Sequence, residues 1–212
     1  MARGRFITVE GGEGVGKSTQ VSLLAAALER NGLPVQQTRE PGGSRGAESI
    51  RKLLLEGSGD RWDAVSEALL VTAARRDHVS RLIAPALERG IWVVCDRFTD
   101  STYAYQGYGR GMPLADIAAL QRVAIGELVP DLTLILDLPV GAGLARAAAR
   151  PGAGDRFEGR ERAFHERLRD GFRRIASDDP KRCVLIKASG SPETVHAAVL
   201  AAVSRHFALV LR

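Results

Sequence analysis

Short apolar runs alternate with longer segments of helical periodicity along this chain of 212 residues. The apolar runs have the length of β-strands, whereas the segments between them repeat apolar residues at three- and four-residue spacing, as on one face of a helix. This alternation predicts an α/β fold, a parallel sheet with helices on both faces. The five predicted strands are Arg5–Val9, Pro34–Thr38, Ile91–Cys95, Leu132–Leu136 and Arg182–Ile186.

The longest predicted helix covers Asp63–Glu88, with a kink at Pro85, where proline cannot donate the helical hydrogen bond. The charged stretch Arg75–His78 in its middle is typical of a solvated face. Val71 and Arg75 are four residues apart and therefore share one face of the helix, so they could also line one wall of a cleft.

A glycine-rich segment follows the first predicted strand and fits the pattern G-x-x-x-x-G-K-[ST] of a phosphate-binding loop. Its glycines let backbone N–H groups turn toward a phosphate, Lys17 adds a positive charge, and the hydroxyl of Ser18 can ligate Mg²⁺. The dipole of the helix that begins there favours the same anion. A glycine-rich turn with an incidental lysine is the alternative, but the strand before the loop and the helix after it favour a nucleotide phosphate. The residues expected to bind it are Gly11, Gly12, Glu13, Gly14, Val15, Gly16, Lys17, Ser18 and Thr19.

Charged residues follow the second and third predicted strands, at the sheet edge where α/β proteins bind ligands. Arg39 and Glu40 precede a Pro-Gly-Gly turn and could either hold a substrate or pair with each other. Asp96 and Arg97 precede a run rich in hydroxyl and amide groups. The planar guanidinium of Arg97 suits a phosphate because it can bond two oxygens at once. A buried Asp96–Arg97 ion pair that only holds the strand end is the alternative.

A second arginine-bearing region follows the fourth predicted strand. Arg146 and Arg150 share a helical face, and the Pro/Gly-rich stretch after them is typical of a moving flap. Arginines on such a lid, over about residues 144–158, could neutralise a transferring phosphate while the closed lid excludes water. Exposed helix arginines beside a loose loop are the alternative.

Composition narrows the class of protein. The net charge is +5 and the calculated pI is about 9.7, but the basic residues are spread along the chain and only 5% of residues are aromatic, so a nucleic-acid surface is not expected. No apolar run has the length of a membrane span. Cys95 and Cys183 lie in apolar runs, which predicts buried thiols in a reducing cytoplasm. We expect a single domain, 1–212.

Several motifs occur together in an order and spacing that resemble the bacterial thymidylate kinases. They are Glu10 to Thr19, Arg39-Glu40-Pro41-Gly42-Gly43, Asp96-Arg97 and the run from Ser101 through Tyr105-Gln106-Gly107. The resemblance extends over essentially the whole chain. It implies a P-loop nucleoside monophosphate kinase fold with a small lid, transfer of the γ-phosphate of ATP to dTMP with Mg²⁺, and a homodimer.

The resemblance also implies roles for individual residues. Glu13 matches a carboxylate near the deoxyribose 3′-hydroxyl and the metal, Arg97 matches the arginine on the dTMP phosphate, and Arg75 matches the arginine on the thymine ring. Tyr105 matches the residue packed against the sugar. The residues expected to bind dTMP are Glu13, Arg39, Val71, Arg75, Arg97, Ser101, Tyr105 and Gln106; those expected to act in catalysis are Glu13, Lys17, Arg97, Arg150 and Arg156.

Two positions depart from the family pattern. Val71 stands where the family usually has a phenylalanine that stacks on thymine, so another nucleoside monophosphate kinase of the same fold remains the alternative. The phosphate loop carries no arginine, which resembles the subgroup with a lid arginine, although Ala148 stands where one is expected. A GTPase-like switch would need a guanine-reading motif that the chain lacks, and a DNA-stimulated ATPase is favoured only by the pI.

Overall fold

The computed structural model describes residues 3–56, 61–149 and 161–211. Within these ranges five parallel strands form one sheet in the order β2-β3-β1-β4-β5, which confirms the predicted fold class. The strands are β1 (Phe6–Glu10), β2 (Val35–Arg39), β3 (Trp92–Asp96), β4 (Leu132–Asp137) and β5 (Cys183–Lys187).

Each strand extends one residue beyond its predicted end, to a charged residue. The apolar pattern stops before this residue because the sheet edge is where the chain leaves the core for the cleft. Asp96 of β3 pairs with Val9 of β1 on one side and with Arg39 of β2 on the other. The carboxyl ends of three neighbouring strands therefore meet at one place.

Helices cover both faces of the sheet. They are α1 (Lys17–Arg30), α2 (Arg45–Leu55), α3 (Ala64–His78), α4 (Ala84–Glu88), α5 (Thr99–Thr102), α6 (Leu114–Ile125), α7 (Val140–Ala148), α8 (Arg162–Asp178) and α9 (Pro192–Phe207). Helices α1 and α9 pack on one face through residues such as Leu24 and Val199. On the other face α4 packs through Leu87, and α8 through Leu168 and Phe172. Cys95 and Cys183 are free and buried, as predicted.

The predicted long helix is interrupted. Between α3 and α4 the chain widens into a π-helical segment over Val79–Ile83, directly before Pro85. Proline has no N–H and crowds the carbonyl four residues earlier, and a wider turn relieves both problems. A second π-helical segment, Tyr103–Gly109, continues α5.

The expectation of a solvated face at Arg75–His78 is wrong for Arg75 and His78, whereas Arg76 between them is exposed. Arg75 and His78 are among the most deeply buried residues, at 1% and 0% exposure. Asp77 beside them accepts hydrogen bonds from the Ser44 hydroxyl (2.6 Å) and from Gly46 N–H (3.1 Å), so α3 caps the start of α2. These contacts fix α2 against α3 as one wall of a cleft.

Within the described ranges, no helix is long and apolar enough to cross a bilayer.

Candidate active site

A cleft of about 210 Å³ opens at the carboxyl ends of β1, β2 and β3. Its floor carries Lys17 and Ser18, at the start of α1. Its lining also includes all eight residues that the resemblance assigns to the monophosphate substrate. They are Glu13, Arg39, Val71, Arg75, Arg97, Ser101, Tyr105 and Gln106. Residues that lie between Glu13 and Gln106 in the sequence thus converge on one space beside the start of α1.

The glycine-rich loop joins β1 to α1. Gly16, the N-cap of α1, has φ of 95° and no side chain, and the first turn of the helix carries no acidic residue. The N–H groups of that turn are therefore open to an anion, and the helix dipole is not neutralised locally. The Lys17 ammonium donates to the carbonyl of Gly12 across the loop (2.6 Å), which holds the loop in its curved form.

The loop also contacts helix α7 without intervening side chains. A Cβ atom placed on Gly14 would lie 1.9 Å from the carbonyl oxygen of Gly143, and one placed on Gly143 would lie 2.5 Å from that of Glu13. Only glycine at both positions allows the two backbones to approach so closely.

Lys17 is 8% exposed. Burial lowers its pKa to about 8, and Arg97 acts in the same direction, while Glu13 and Asp96 act against them. The lysine is thus a buried cation among other cations, an arrangement that added phosphate charge would stabilise. Lys17 and Arg97 together give this part of the site the positive charge that would attract a polyanion.

Arg97 and Glu13 form the central ion pair of the cleft. Arg97 Nη2 donates to Glu13 Oε1 (3.1 Å), and Arg97 Nη1 donates to the Gly11 carbonyl (3.0 Å) and to Ser101 Oγ (3.1 Å). The Tyr105 hydroxyl donates to the same Glu13 oxygen, and the guanidinium lies 4.9 Å from the centre of the Tyr105 ring. Burial alone would raise the pKa of Glu13, but Arg97 and Lys17 outweigh it and hold that pKa at about 2.

The backbone at Arg97 is strained. Its φ is 70°, in the left-handed region that a side chain with a Cβ rarely adopts. The Arg97 N–H is held by the carbonyl of Val9 (3.0 Å). The alternative of an Asp96–Arg97 ion pair is wrong in the described part of the chain, since Arg97 turns away from the strand and pairs with the loop.

Glu10 supports this arrangement and was not assigned a role from the sequence. It ends β1, is fully buried, and accepts hydrogen bonds from Phe98 N–H (2.7 Å) and from the Ser101 hydroxyl (2.6 Å). Burial raises its pKa to about 7, and the charge of Asp100 adds to the rise. Because Ser101 donates to Glu10, its oxygen is left to accept from Arg97.

Arg75 lies behind the cleft wall in a buried network. Its Nε donates to Glu40 Oε2 (2.7 Å), and its two terminal nitrogens donate to Thr102 Oγ1, Gln121 Oε1 and the Phe98 carbonyl (2.9–3.0 Å). Four of the five N–H groups of a guanidinium are therefore used within the described chain, and Arg75 is also one of the residues that line the cleft. Sequence reasoning found Arg75 but not these partners.

Arg39 and Glu40, the adjacent basic and acidic residues after β2, have different partners from those that the sequence suggested. Arg39 and Glu40 do not pair with each other in the described structure. Arg39 is exposed and bonds Glu48 (3.0 Å), whereas Glu40 is buried between Arg75 and His78. Glu40 is therefore a structural anchor of the cleft wall, and Arg39 lies at its rim.

An apolar wall stands opposite these charges. Val71 lines it together with Pro41, Leu54 and Leu55. Phe98 also reaches the cleft, but its ring is buried under the Arg75 guanidinium, 5.1 Å away. The exposed apolar surface at this part of the cleft therefore comes from aliphatic side chains.

The lid arginines lie mostly beyond what the structure describes. Arg150 and Arg156 fall outside the described residues. Within α7, Arg146 is used to bond the carbonyl of Ala188 (3.2 Å). No cluster of three or more His, Cys, Asp or Glu side chains capable of holding a metal occurs among the described residues. The cleft does offer isolated oxygen atoms on Ser18, Glu13 and Asp96.

Comparison with known proteins agrees with this geometry. The family model described as thymidylate kinase matches residues 9–199. The chain is 60% identical to the thymidylate kinase of Bradyrhizobium sp. strain BTAi1 over 91% of its own length and 86% of that protein, and 56% identical to that of Rhizorhabdus wittichii over 95% and 97%. The crystal structure of thymidylate kinase from Ehrlichia chaffeensis superposes with a TM-score of 0.78 at 35% identity, covering 95% of this chain and 99% of that one. The chain therefore belongs to the thymidylate kinase family.

Proposed function

We propose that the protein transfers the γ-phosphate of ATP to dTMP, giving dTDP and ADP. The observation that carries the proposal is the ion pair of Arg97 and Glu13, which sits in one cleft with the phosphate loop. A phosphoryl acceptor held by Arg97 would lie beside the donor phosphates held by Lys17 and the loop. Family membership supports the identity of both substrates.

Positioning and charge neutralisation account for most of the expected rate. Phosphoryl transfer passes through a transition state that spreads negative charge over the phosphoryl oxygens, and the reaction needs aligned groups more than a strong base. Lys17 and the N-terminus of α1 would hold the phosphates of ATP. Arg97 uses three of its five N–H groups within the described chain and keeps two for the phosphate of dTMP.

Mg²⁺ is expected to accompany ATP. This ion keeps several water ligands and takes one or two protein oxygens together with substrate phosphates, so the absence of a dense carboxylate cluster in the described residues is compatible with it. The Ser18 hydroxyl is the proposed protein ligand, and Glu13 and Asp96, which line the same cleft, would act through water. The ion would neutralise charge on the phosphates.

Glu13 and Tyr105 would select the sugar. The tyrosine hydroxyl is held by the Glu13 carboxylate, which fixes the ring at the cleft wall. We propose that Glu13 accepts the 3′-hydroxyl of the deoxyribose and that the ring occupies the space that a ribose 2′-hydroxyl would need. Arg150 and Arg156, on the lid segment, are the proposed source of additional positive charge at the transferring phosphate.

A homodimer and a cytoplasmic location complete the proposal. Exposed apolar side chains occur on α2, α3 and α6, of which α3 packs against each of the other two, and Val65 and Leu69 share a face of α3 at about 50% exposure. Burial of that face between two copies would remove it from water. The test is the molar mass in solution by light scattering, with a monomer at micromolar concentration contradicting the dimer.

The catalytic proposal is tested by ADP release from Mg-ATP with dTMP, dUMP, UMP, CMP, AMP and GMP as acceptors. We expect a strong preference for dTMP. If another monophosphate were the preferred acceptor, the proposed mechanism would stand, but the protein would be a different nucleoside monophosphate kinase. Absence of turnover on all six would contradict the kinase reaction.

A further inference from the structure

A buried carboxylate holds the amide of the cleft residue Gln106. Glu67 lies on α3 one turn before Val71 and is 0% exposed. Gln106 lies in the π-helical segment Tyr103–Gly109 and is also buried. Gln106 Nε2 donates to Glu67 Oε1 over 2.7 Å, and Arg110 Nη1 lies 3.1 Å from the other oxygen, Glu67 Oε2.

The chemistry of this contact fixes which way the amide points. An ionised carboxylate can only accept hydrogen bonds, so it requires the NH₂ end of a neighbouring amide. Arg110 Nη1 places a positive charge 3.1 Å from Glu67 Oε2, on the side of the carboxylate away from Gln106. The other end of the amide, Gln106 Oε1, has no hydrogen-bond partner among the described residues, and Gln106 lines the cleft. The cleft therefore contains an amide oxygen that accepts hydrogen bonds, and it cannot easily turn over to present a donor.

We propose that Glu67 is a positioning residue for base selectivity: Gln106 is already expected from the family resemblance to contact the base, and Glu67 fixes its amide so that the oxygen, and not the NH₂ group, is presented to the N3–H of thymine. The inference deepens the proposed dTMP kinase function and depends on it. Thymine and uracil carry a proton at N3, whereas cytosine has a lone pair there. If cytosine were bound here, its N3 lone pair would face the Gln106 oxygen. Both atoms are acceptors, so the buried Gln106 oxygen would have no hydrogen-bond donor. Sites built in this way reject the wrong partner strongly.

The test is the change Glu67→Gln, measured as kcat/KM for dTMP and for 5-methyl-dCMP with Mg-ATP. The two substrates share the methyl group, sugar and phosphate and differ in the hydrogen-bonding pattern at N3 and the 4-position. A glutamine at position 67 can present either its oxygen or its NH₂ group, so the amide of Gln106 is free to reverse. We expect the ratio of the two kcat/KM values to fall about tenfold or more.

A matched control acts on the same helix without touching the amide. Ala73 is exposed in the middle of α3, so Ala73→Gly weakens the helix but leaves the Glu67–Gln106 contact and Arg110 unchanged. We expect this variant to lose thermal stability and to keep the wild-type substrate ratio. A selectivity loss equal to that of Glu67→Gln would mean that general loosening of α3 is the cause, and it would overturn the proposal.

A second variant decides the matter if Glu67→Gln does not fold. Gln106→Met keeps the length of the side chain and the Glu67–Arg110 pair but removes the amide oxygen. It should lower the same ratio about tenfold. An unchanged ratio in either folded variant overturns the role of Glu67 while dTMP turnover by the wild-type enzyme continues. Failure of the wild type to use dTMP would instead overturn the proposed function itself.

Discussion

Arg97 Nη2 lies 3.1 Å from Glu13 Oε1, although the two residues are 84 positions apart in the sequence. The bond joins the end of β3 to the glycine-rich loop after β1. Because each residue is largely buried and each also contacts Tyr105, the pair behaves as one unit. The side of the cleft proposed for dTMP is thereby attached directly to the loop proposed for ATP.

The change Arg97→Lys should lower kcat/KM for dTMP about a hundredfold. Lysine keeps the positive charge but loses the planar fork that bonds Glu13, the Gly11 carbonyl and Ser101 together. Steady-state kinetics with Mg-ATP measures the effect. Arg5→Lys is the matched control, since Arg5 is exposed and pairs only weakly with Asp131. A variant with near-normal turnover would contradict the role given to Arg97.

The change Glu10→Gln should alter how stability depends on pH. The pKa of Glu10 is raised by burial to about 7, so the protonated form is favoured in the fold. The contribution of the protonated Glu10 side chain to the free energy of unfolding is fully present below about pH 4.5. It is lost as the pH rises from there through about 7. The total is on the order of 3 kcal/mol.

Glutamine does not titrate, so the variant lacks the loss of stability that Glu10 causes in the wild type. The free energy of unfolding of Glu10→Gln minus that of the wild type should therefore increase as the pH rises from 5 to 8. Urea unfolding at several pH values measures the difference, in which other titrating groups cancel. A difference that stays constant over this range would show that Glu10 does not titrate there.

The change Glu40→Gln should destabilise the protein by about 3 kcal/mol or more. It leaves the buried Arg75 guanidinium without its opposite charge and removes the acceptor of His78. Thermal and urea unfolding measure the loss. Arg81→Gln breaks an exposed ion pair with Asp77 on the same helical stretch and should cost less than about 1 kcal/mol. Equal losses in the two variants would argue against a buried network around Glu40.

The double change Arg150→Ala and Arg156→Ala should lower kcat by about a thousandfold while KM for dTMP changes little. Arginines that meet the phosphoryl group only in the transition state act in this way. Arg162→Ala serves as control, because Arg162 is exposed at the start of α8 and pairs with Glu166. If the double variant retained most of its kcat, the charge at the transferring phosphate would have to come from elsewhere.

The sequence predicted β1, β3, β4 and β5 because they contain apolar runs, whereas β2 is mostly polar; each predicted strand ended one residue early. Glu10 and Asp96 show the reason: the last residue of each strand is charged, Asp96 because it lines the cleft and Glu10 because it holds Phe98 and Ser101 beside it. A hydrophobicity pattern cannot distinguish such a residue from the beginning of a loop. The predicted ends were therefore wrong at the positions closest to the candidate site.

Candidate site residues could be found where the chemistry is local, as in the glycine-rich loop or in Arg97. Supporting residues could not, because their partners are far away in the chain. Arg75 bonds Gln121, 46 positions later, and Glu67 bonds Gln106, 39 positions later. An isolated acidic residue on a predicted helix carries no sign that its carboxylate is buried, so Glu67 resembled an ordinary surface charge. Glu40 was singled out from the sequence, but its buried partners Arg75 and His78 were not.

The contact between Gly14 and Gly143 has a mechanical consequence. Helix α7 leads toward the segment that carries Arg150, and its backbone rests on the backbone of the phosphate loop with no side chain between them. Side chains can yield by changing rotamer, but two peptide groups in contact cannot. Any tilt of α7 must therefore displace the loop, and a single added methyl group at either glycine would act as a wedge that separates the two.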